Sequence, residues 1–161
     1  MRTRYTPLNF CSSRFSSYVF NNVGLYEPAD WQHVIGIDDA AYSLQHIDNY
    51  QEGVDHCKRN GGKVFEPTKR TNDRVFKWLK EKDSSNNIGL GIIWSKNQSQ
   101  FLYQSNGRNI SWSNFLSSSS CRYQSCLDGA AVLMEPQNGK WIVGRRSGSY
   151  DYIFCEKTVK F

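Results

Sequence analysis

The chain has 161 residues, 39% of them hydrophobic and 14% aromatic, and a formal net charge of +5. This length and composition fit a single globular domain with a real core and exclude a disordered chain. No run of about 18 apolar residues occurs, which excludes a helical membrane span.

Residues 1–30 read as an irregular Ser- and Asn-rich extension with one strand near residues 18–20, and residues 31–161 as the domain proper. Residues 33–37 and 41–45 read as two short strands joined by a turn at Asp38-Asp39. Tyr50, Val54 and Cys57 fall at i, i+4 and i+7, which predicts a helix over 50–59; Gly61 and Gly62 suit its left-handed C-terminal cap. A strand over 63–65 stops at Pro67. A second helix is predicted near 72–82, capped by Thr71 or Asn72, with Val75, Phe76, Trp78 and Leu79 on its buried face.

Residues 88–94 form an apolar run with two glycines, the pattern of a strand buried on both faces. Residues 101–115 read as strand, Asn106-Gly107 turn and strand. A polar loop over 116–129 precedes a hairpin of 130–135 with 140–143, and 150–155 form the last strand. Two strands, two helices, then strands alone is an α+β order.

Five cysteines point to an oxidising compartment, and none has the paired spacing of a zinc site. Cys121 and Cys126, five residues apart, read as a local disulfide. Asn97-Gln98-Ser99 and Asn109-Ile110-Ser111 are sequons, acceptors for glycosylation in a secreted setting. The N-terminal residues lack an apolar signal core, so secretion implies a signal sequence that this chain does not carry.

Several segments in order resemble the C-type lectin-like domain over residues 31–157. They are Cys57 followed by Gly61-Gly62, Asn87-Ile88-Gly89-Leu90-Gly91, Phe101-Leu102-Tyr103, Ser111-Trp112-Ser113-Asn114-Phe115, Asn138-Gly139-Lys140-Trp141 and Phe154-Cys155-Glu156. The resemblance implies an α+β fold with two helices, small antiparallel sheets and a long loop region, closed by a Cys57–Cys155 disulfide. It also places Trp112, Phe115 and Trp141 in the core.

The departures from the family pattern bear on function. The family's second disulfide is absent: Ala130 or Ala131 occupies the first position, and no cysteine lies between Trp141 and Cys155. Cys11 is left as the odd thiol, which leaves open an oligomer linked through it. Family members that bind sugar through calcium use oxygen ligands from a proline-containing loop and from the residues after the Trp. Here the loop has no proline, Ile142 and Val143 follow Trp141, and Asp128 is the one acid near the usual place. One carboxylate does not hold an ion that wants six to eight oxygens, so no calcium is expected at the usual site and no other cofactor is implied. Glu135-Pro136 reads as a hairpin turn.

The candidate ligand-binding residues are Arg122, Tyr123, Asp128, Arg145, Arg146 and Tyr150, since arginine grips anions bidentately and aromatic rings stack on sugars or anchor proteins. The resulting expectation is an extracellular or secreted recognition domain that binds a protein partner without calcium. The alternative is a lectin that takes a cell-surface glycan, anionic included, through the long-loop face. His33, His46 and His56 have no nucleophile or metal partner at motif spacing, so no catalytic residue and no enzyme is read. The cations form no block of six like charges, which argues against nucleic acid.

Overall fold

The computed structural model describes residues 31–82, 86–116, 121, 126–144 and 152–159. In chain order the elements are β1 (Gln32–Val34), β2 (Ile37–His46), α1 (Tyr50–Arg59), β3 (Lys63–Val64), α2 (Lys69–Glu81), β4 (Ile88–Ser95), β5 (Gln100–Tyr103), β6 (Ala131–Met134), β7 (Trp141–Val143) and β8 (Tyr152–Thr158). The extension, and with it Cys11, lies outside the described residues.

The strands form one sheet in the order β1-β2-β8-β4-β6-β7, with β3 added to β8 and β5 to β4. β8 pairs antiparallel with β2 from Ala40↔Thr158 to His46↔Tyr152, and parallel with β4 through Ile88↔Tyr152 and Gly89↔Ile153. Its side chains alternate between two cores, as strand geometry requires. Phe154 packs with Tyr42, Phe65 and Trp141 on one side, whereas Ile153 and Cys155 pack with Cys57, Val64 and Leu133 on the other. The Tyr42 and Phe154 rings stack 5.2 Å apart, and Phe65 meets both edge-on.

α1 forms where its apolar stripe predicts. Asn49 caps it by accepting from the Glu52 N–H at 2.8 Å. At the other end the Gly62 N–H reaches the Cys57 carbonyl at 2.9 Å and the Gly61 N–H the Lys58 carbonyl at 3.1 Å, with Gly61 at φ +82°. This is the doubly bonded helix stop that needs a residue free to turn left-handed. Cys57 and Cys155, 98 residues apart in sequence, are bonded with their Cα atoms 5.4 Å apart. Closing a loop of that length removes about 4–5 kcal/mol of unfolded-chain entropy. Gly91 on β4 is required for a different reason. Its N–H donates to the Phe65 carbonyl at 2.7 Å, and a Cβ there would sit 2.6 Å from the Val64 carbonyl oxygen.

Three local expectations are corrected. The first hairpin turns at Ile35-Gly36, not at Asp38-Asp39: Val34 pairs with Ile37, Gly36 takes φ +87°, and both aspartates sit in β2. α2 begins at Lys69, because Thr68 and Thr71 cap each other: the Thr71 N–H donates to the Thr68 hydroxyl at 3.1 Å and the Thr68 N–H to the Thr71 hydroxyl at 2.9 Å. Asn72 is thereby freed from capping and enters the core, 1% exposed. The return strand after Asn106-Gly107 reduces to one bridge, Leu102↔Asn109, since the residues that follow are drawn towards β7.

Asn72 accepts a hydrogen bond from the Trp141 indole at 2.9 Å and donates to the Gly139 carbonyl at 3.3 Å. Glu156, next to the closing cysteine, is also held inside. Burial pushes its carboxyl up from an ordinary 4.5 to about 7, against the opposing pull of the Glu66 N–H bonded to it at 2.6 Å and of Lys63. Lys63 is itself paired with Glu66 at 2.8 Å.

Two outcomes follow for stability. Asn72→Ala strands a buried indole N–H, so a loss of about 1–3 kcal/mol is expected in denaturant unfolding; an unchanged midpoint would remove Asn72 from the list of structural keys. For Glu156 the folded carboxyl holds its proton where the unfolded one has released it. Stability is therefore full below about pH 4.5 and declines as pH rises through about 7, by about 3 kcal/mol in all. Glu156→Gln should flatten that decline in melting temperature measured from pH 5 to 8, and an equal slope in the two proteins contradicts it.

Candidate functional site

The long loop leaves and rejoins a rigid aromatic base. Trp94 on β4 meets Phe101 on β5 with ring centroids 4.9 Å apart, Phe101 meets Phe115 at 4.6 Å, and Phe115 and Trp112 each meet Trp141 edge-on at 5.4 Å. Trp141 is fully buried, while Trp112 and Phe115 are half-buried against it, so the core placement implied for the three is complete only for Trp141.

Main-chain bonds fix the segment that leads into the loop. The Trp141 N–H donates to the Asn114 carbonyl at 3.0 Å and the Leu116 N–H to the Trp141 carbonyl at 2.9 Å. The Asn114 amide donates to the Gly139 carbonyl at 2.9 Å, and its oxygen accepts from the exposed Lys140 ammonium at 3.1 Å. Further along, Cys121 and Cys126 form the expected local disulfide, Cα atoms 5.4 Å apart. The loop is thus pinned at its start, and stapled within itself.

Of the candidate binding residues, Asp128 is described; Arg122, Tyr123, Arg145, Arg146 and Tyr150 lie outside the described residues. Asp128 is exposed, and one of its carboxylate oxygens accepts the Lys96 N–H at 2.9 Å, which ties the loop's return to the β4–β5 turn. The Gly129 N–H on the Trp94 carbonyl, at 2.8 Å, makes the same join. Asn97 sits in that β4–β5 turn and Asn109 beyond β5, both exposed.

The usual calcium position can be tested on the donors present. Ile142 and Val143 lie in β7, where Ile142 packs on the second core, and they bring only hydrocarbon. Glu135 is engaged in the β6–β7 turn, accepting from the Asn138 amide at 3.2 Å. Among the described residues no three His, Cys, Asp or Glu side chains gather where an ion would fit.

The histidines bring no nucleophile together. Cys57 is bonded to Cys155, so no thiolate stands beside His56. Burial lowers the pKa of His56, first, with nearby Arg59 adding to it, and its Nε2 is buried without a hydrogen-bond partner among the described residues. His33 and His46 are exposed, and His46 meets Tyr152 edge-on at 5.5 Å.

Asn72 and Asn114, which orient Trp141 and Lys140, escaped the reading of the sequence. Asn72 left a usable signal: it lies at i, with Val75 at i+3 and Leu79 at i+7, on the stripe that α2 buries. A lone amide on an apolar stripe demands a buried partner. Asn114 left none, because its partners, Gly139 and Lys140, come from a distant turn.

No protein-family model matches the sequence, and no curated protein matches it. Solved structures with a similar fold are found. The human scavenger receptor C-type lectin carbohydrate-recognition domain superposes with a TM-score of 0.68 at 12% identity, over 83% of this chain and 100% of that one. Human lithostathine gives 0.64 at 15% identity, over 78% and 97%. The C-type lectin CEL-I from Cucumaria echinata gives 0.64 at 11% identity, over 80% and 95%. With the terminal strand at the sheet's centre, the two helices and the Cys57–Cys155 closure, these superpositions establish that the chain has the α+β C-type lectin-like fold.

Proposed function

We propose that this chain is an extracellular recognition domain that binds a protein partner without calcium at the usual lectin position. The observation that supports this most is the content of β7: after Trp141 come Ile142 and Val143, packed as strand residues, where an ion would need oxygens. Asp128, the remaining acid of the region, already accepts the Lys96 N–H. The aromatic base and main-chain bonds fix the described residues Asn114 and Leu116 at the loop's start, and groups fixed before binding lose less entropy when they bind.

The two disulfides favour an oxidising compartment, in keeping with a secreted or cell-surface setting. The exposure of Asn97 and Asn109 suits glycosylation there. Absence of an assembled nucleophile or metal group among the described residues favours binding over catalysis. Cys11 remains the candidate for a disulfide-linked oligomer, and neither nucleic acid nor membrane insertion is part of the reading.

A second reading is supported by the basic character of the loop region. Arg122, Arg145 and Arg146, with Tyr123 and Tyr150, and with Lys140 held at the base, are the chemistry for an anionic glycan. Neighbours in structure include carbohydrate-recognition domains, which keeps this alternative in view.

Two measurements test the proposal. Calcium is expected to leave the melting temperature unchanged, because an ion that binds the folded state raises it by mass action; a rise that EDTA reverses overturns the calcium-free reading. A glycan array that carries no sulfated glycans, read with and without EDTA, is expected to be blank for the protein-binding reading. Signal that survives EDTA and disappears in Arg145→Ala/Arg146→Ala moves the assignment to the anionic-glycan lectin.

A further inference from the structure

α2 carries a charge pattern that the long-loop reading does not use. Residues 69–82 hold six cations, Lys69, Arg70, Arg74, Lys77, Lys80 and Lys82, against Asp73 and Glu81, so this one segment supplies +4 of the chain's +5. The helix buries Thr71, Asn72, Val75 and Leu79, and all six cations are exposed. What is scattered along the sequence becomes a stripe on one surface. Arg70, Arg74 and Lys77, at i, i+4 and i+7, run along its crest, and from Lys69 to Lys80 it extends about 16 Å along the axis.

These cations are not explained by folding. The first turn of α2 contains no acid, yet Lys69 and Arg70 stand at the positive end of the helix dipole, where cations are unfavourable. Among the described residues only Arg70 has an ion-pair partner, the exposed Asp39 at 3.8 Å. Others are held by neutral groups. Lys80 lies 5.3 Å from the Phe76 ring centre and Lys82 5.2 Å from that of Trp78. The Arg70 guanidinium donates to the Gly36 carbonyl at 3.1 Å, and Arg74 packs across Gly36, whose lack of a Cβ makes the room. Among the described residues these cations are thus positioned with one ion pair, and Asp73 and Glu81, exposed on the same helix, leave the segment with a net +4.

We propose that the exposed face of α2 is a second binding surface, for a linear sulfated polysaccharide. Charge complementarity calls for a polyanion, and an extended chain of sulfates matches a stripe of cations that is longer than one sugar. The disulfides place the domain in an oxidising setting, where sulfated glycans are accessible and the anionic cytoplasmic leaflet is not. Guanidinium groups fixed on the hairpin meet sulfate oxygens in a planar fork, and the lysines contribute point charges. The cations of α2 are different residues from the long-loop candidates, so different variants test the two readings.

The test uses the whole chain and four probes: heparin, desulfated heparin, duplex DNA and phosphatidylserine vesicles. Heparin is expected to bind alone, with affinity that falls as salt rises. Arg74→Glu/Lys77→Glu/Lys80→Glu should weaken heparin binding about tenfold or more. Lys58→Glu/Lys96→Glu/Arg108→Glu makes the same change in net charge at exposed residues outside α2 and should weaken it by no more than about threefold, the effect of net charge alone. Arg145→Ala/Arg146→Ala, which tests the long-loop reading, should leave it intact. Melting temperatures near that of the parent protein establish that each variant is folded. The proposal is overturned if heparin does not bind, if the two triple variants weaken it equally, or if desulfated heparin, DNA or vesicles bind as tightly.

Discussion

One buried indole coordinates the parts of this molecule that face the long loop. Trp141 is fully enclosed, and every polar atom it carries is engaged: its indole N–H with Asn72 on α2, its backbone N–H with Asn114, and its carbonyl with Leu116. A helix, a hairpin and the start of the loop are thereby referred to a single ring. Burial without partners would cost each of those groups a few kcal/mol, so the arrangement is all-or-none in character. The same ring is the floor on which Trp112 and Phe115 stand edge-on.

This organisation separates scaffold from recognition. The scaffold's hydrogen bonds are largely main-chain to main-chain or from amides such as Asn72 and Asn114. The loop's own cross-link, Cys121–Cys126, is separate from the core cystine Cys57–Cys155. A change of loop sequence therefore has little leverage on the sheet. β7 follows the same division: Ile142 faces the second core, where an ion-binding domain would expend that position on a ligand.

Much of the framework was legible in the sequence, and the reasons are local. α1 was readable because its stripe and its two glycines agree, and the Asn49 cap is added by the structure. β4 was readable as a strand buried on both faces because its glycines sit where backbone comes close. Failures occurred where two residues of the same type compete for one role. Thr68 and Thr71 both suit a cap, and only the reciprocal bond decides that the helix starts at Lys69. Asp38-Asp39 is a good turn pair, yet Gly36 reaches a positive φ without a Cβ penalty and takes the turn two residues earlier. The basic stripe of α2 was hidden for a related reason: its cations are interleaved with core residues, and only the helical period brings them to one side. Of the long-loop candidates only Asp128 lies among the described residues.

The position of β8 has a consequence for how the chain is made. A strand that ends at Thr158 is hydrogen-bonded to β2, β3 and β4, and it brings Cys155 to Cys57. During synthesis β2, β3 and β4 emerge before β8, so the place that β8 fills in the sheet and the partner of Cys57 are both supplied by residues 152–158. Until then Cys57 shares its compartment with Cys121 and Cys126, which are close enough in sequence to find each other first. A ring closed over a separation of five residues costs less chain entropy than one closed over 98, so the two cystines constrain the unfolded chain very unequally.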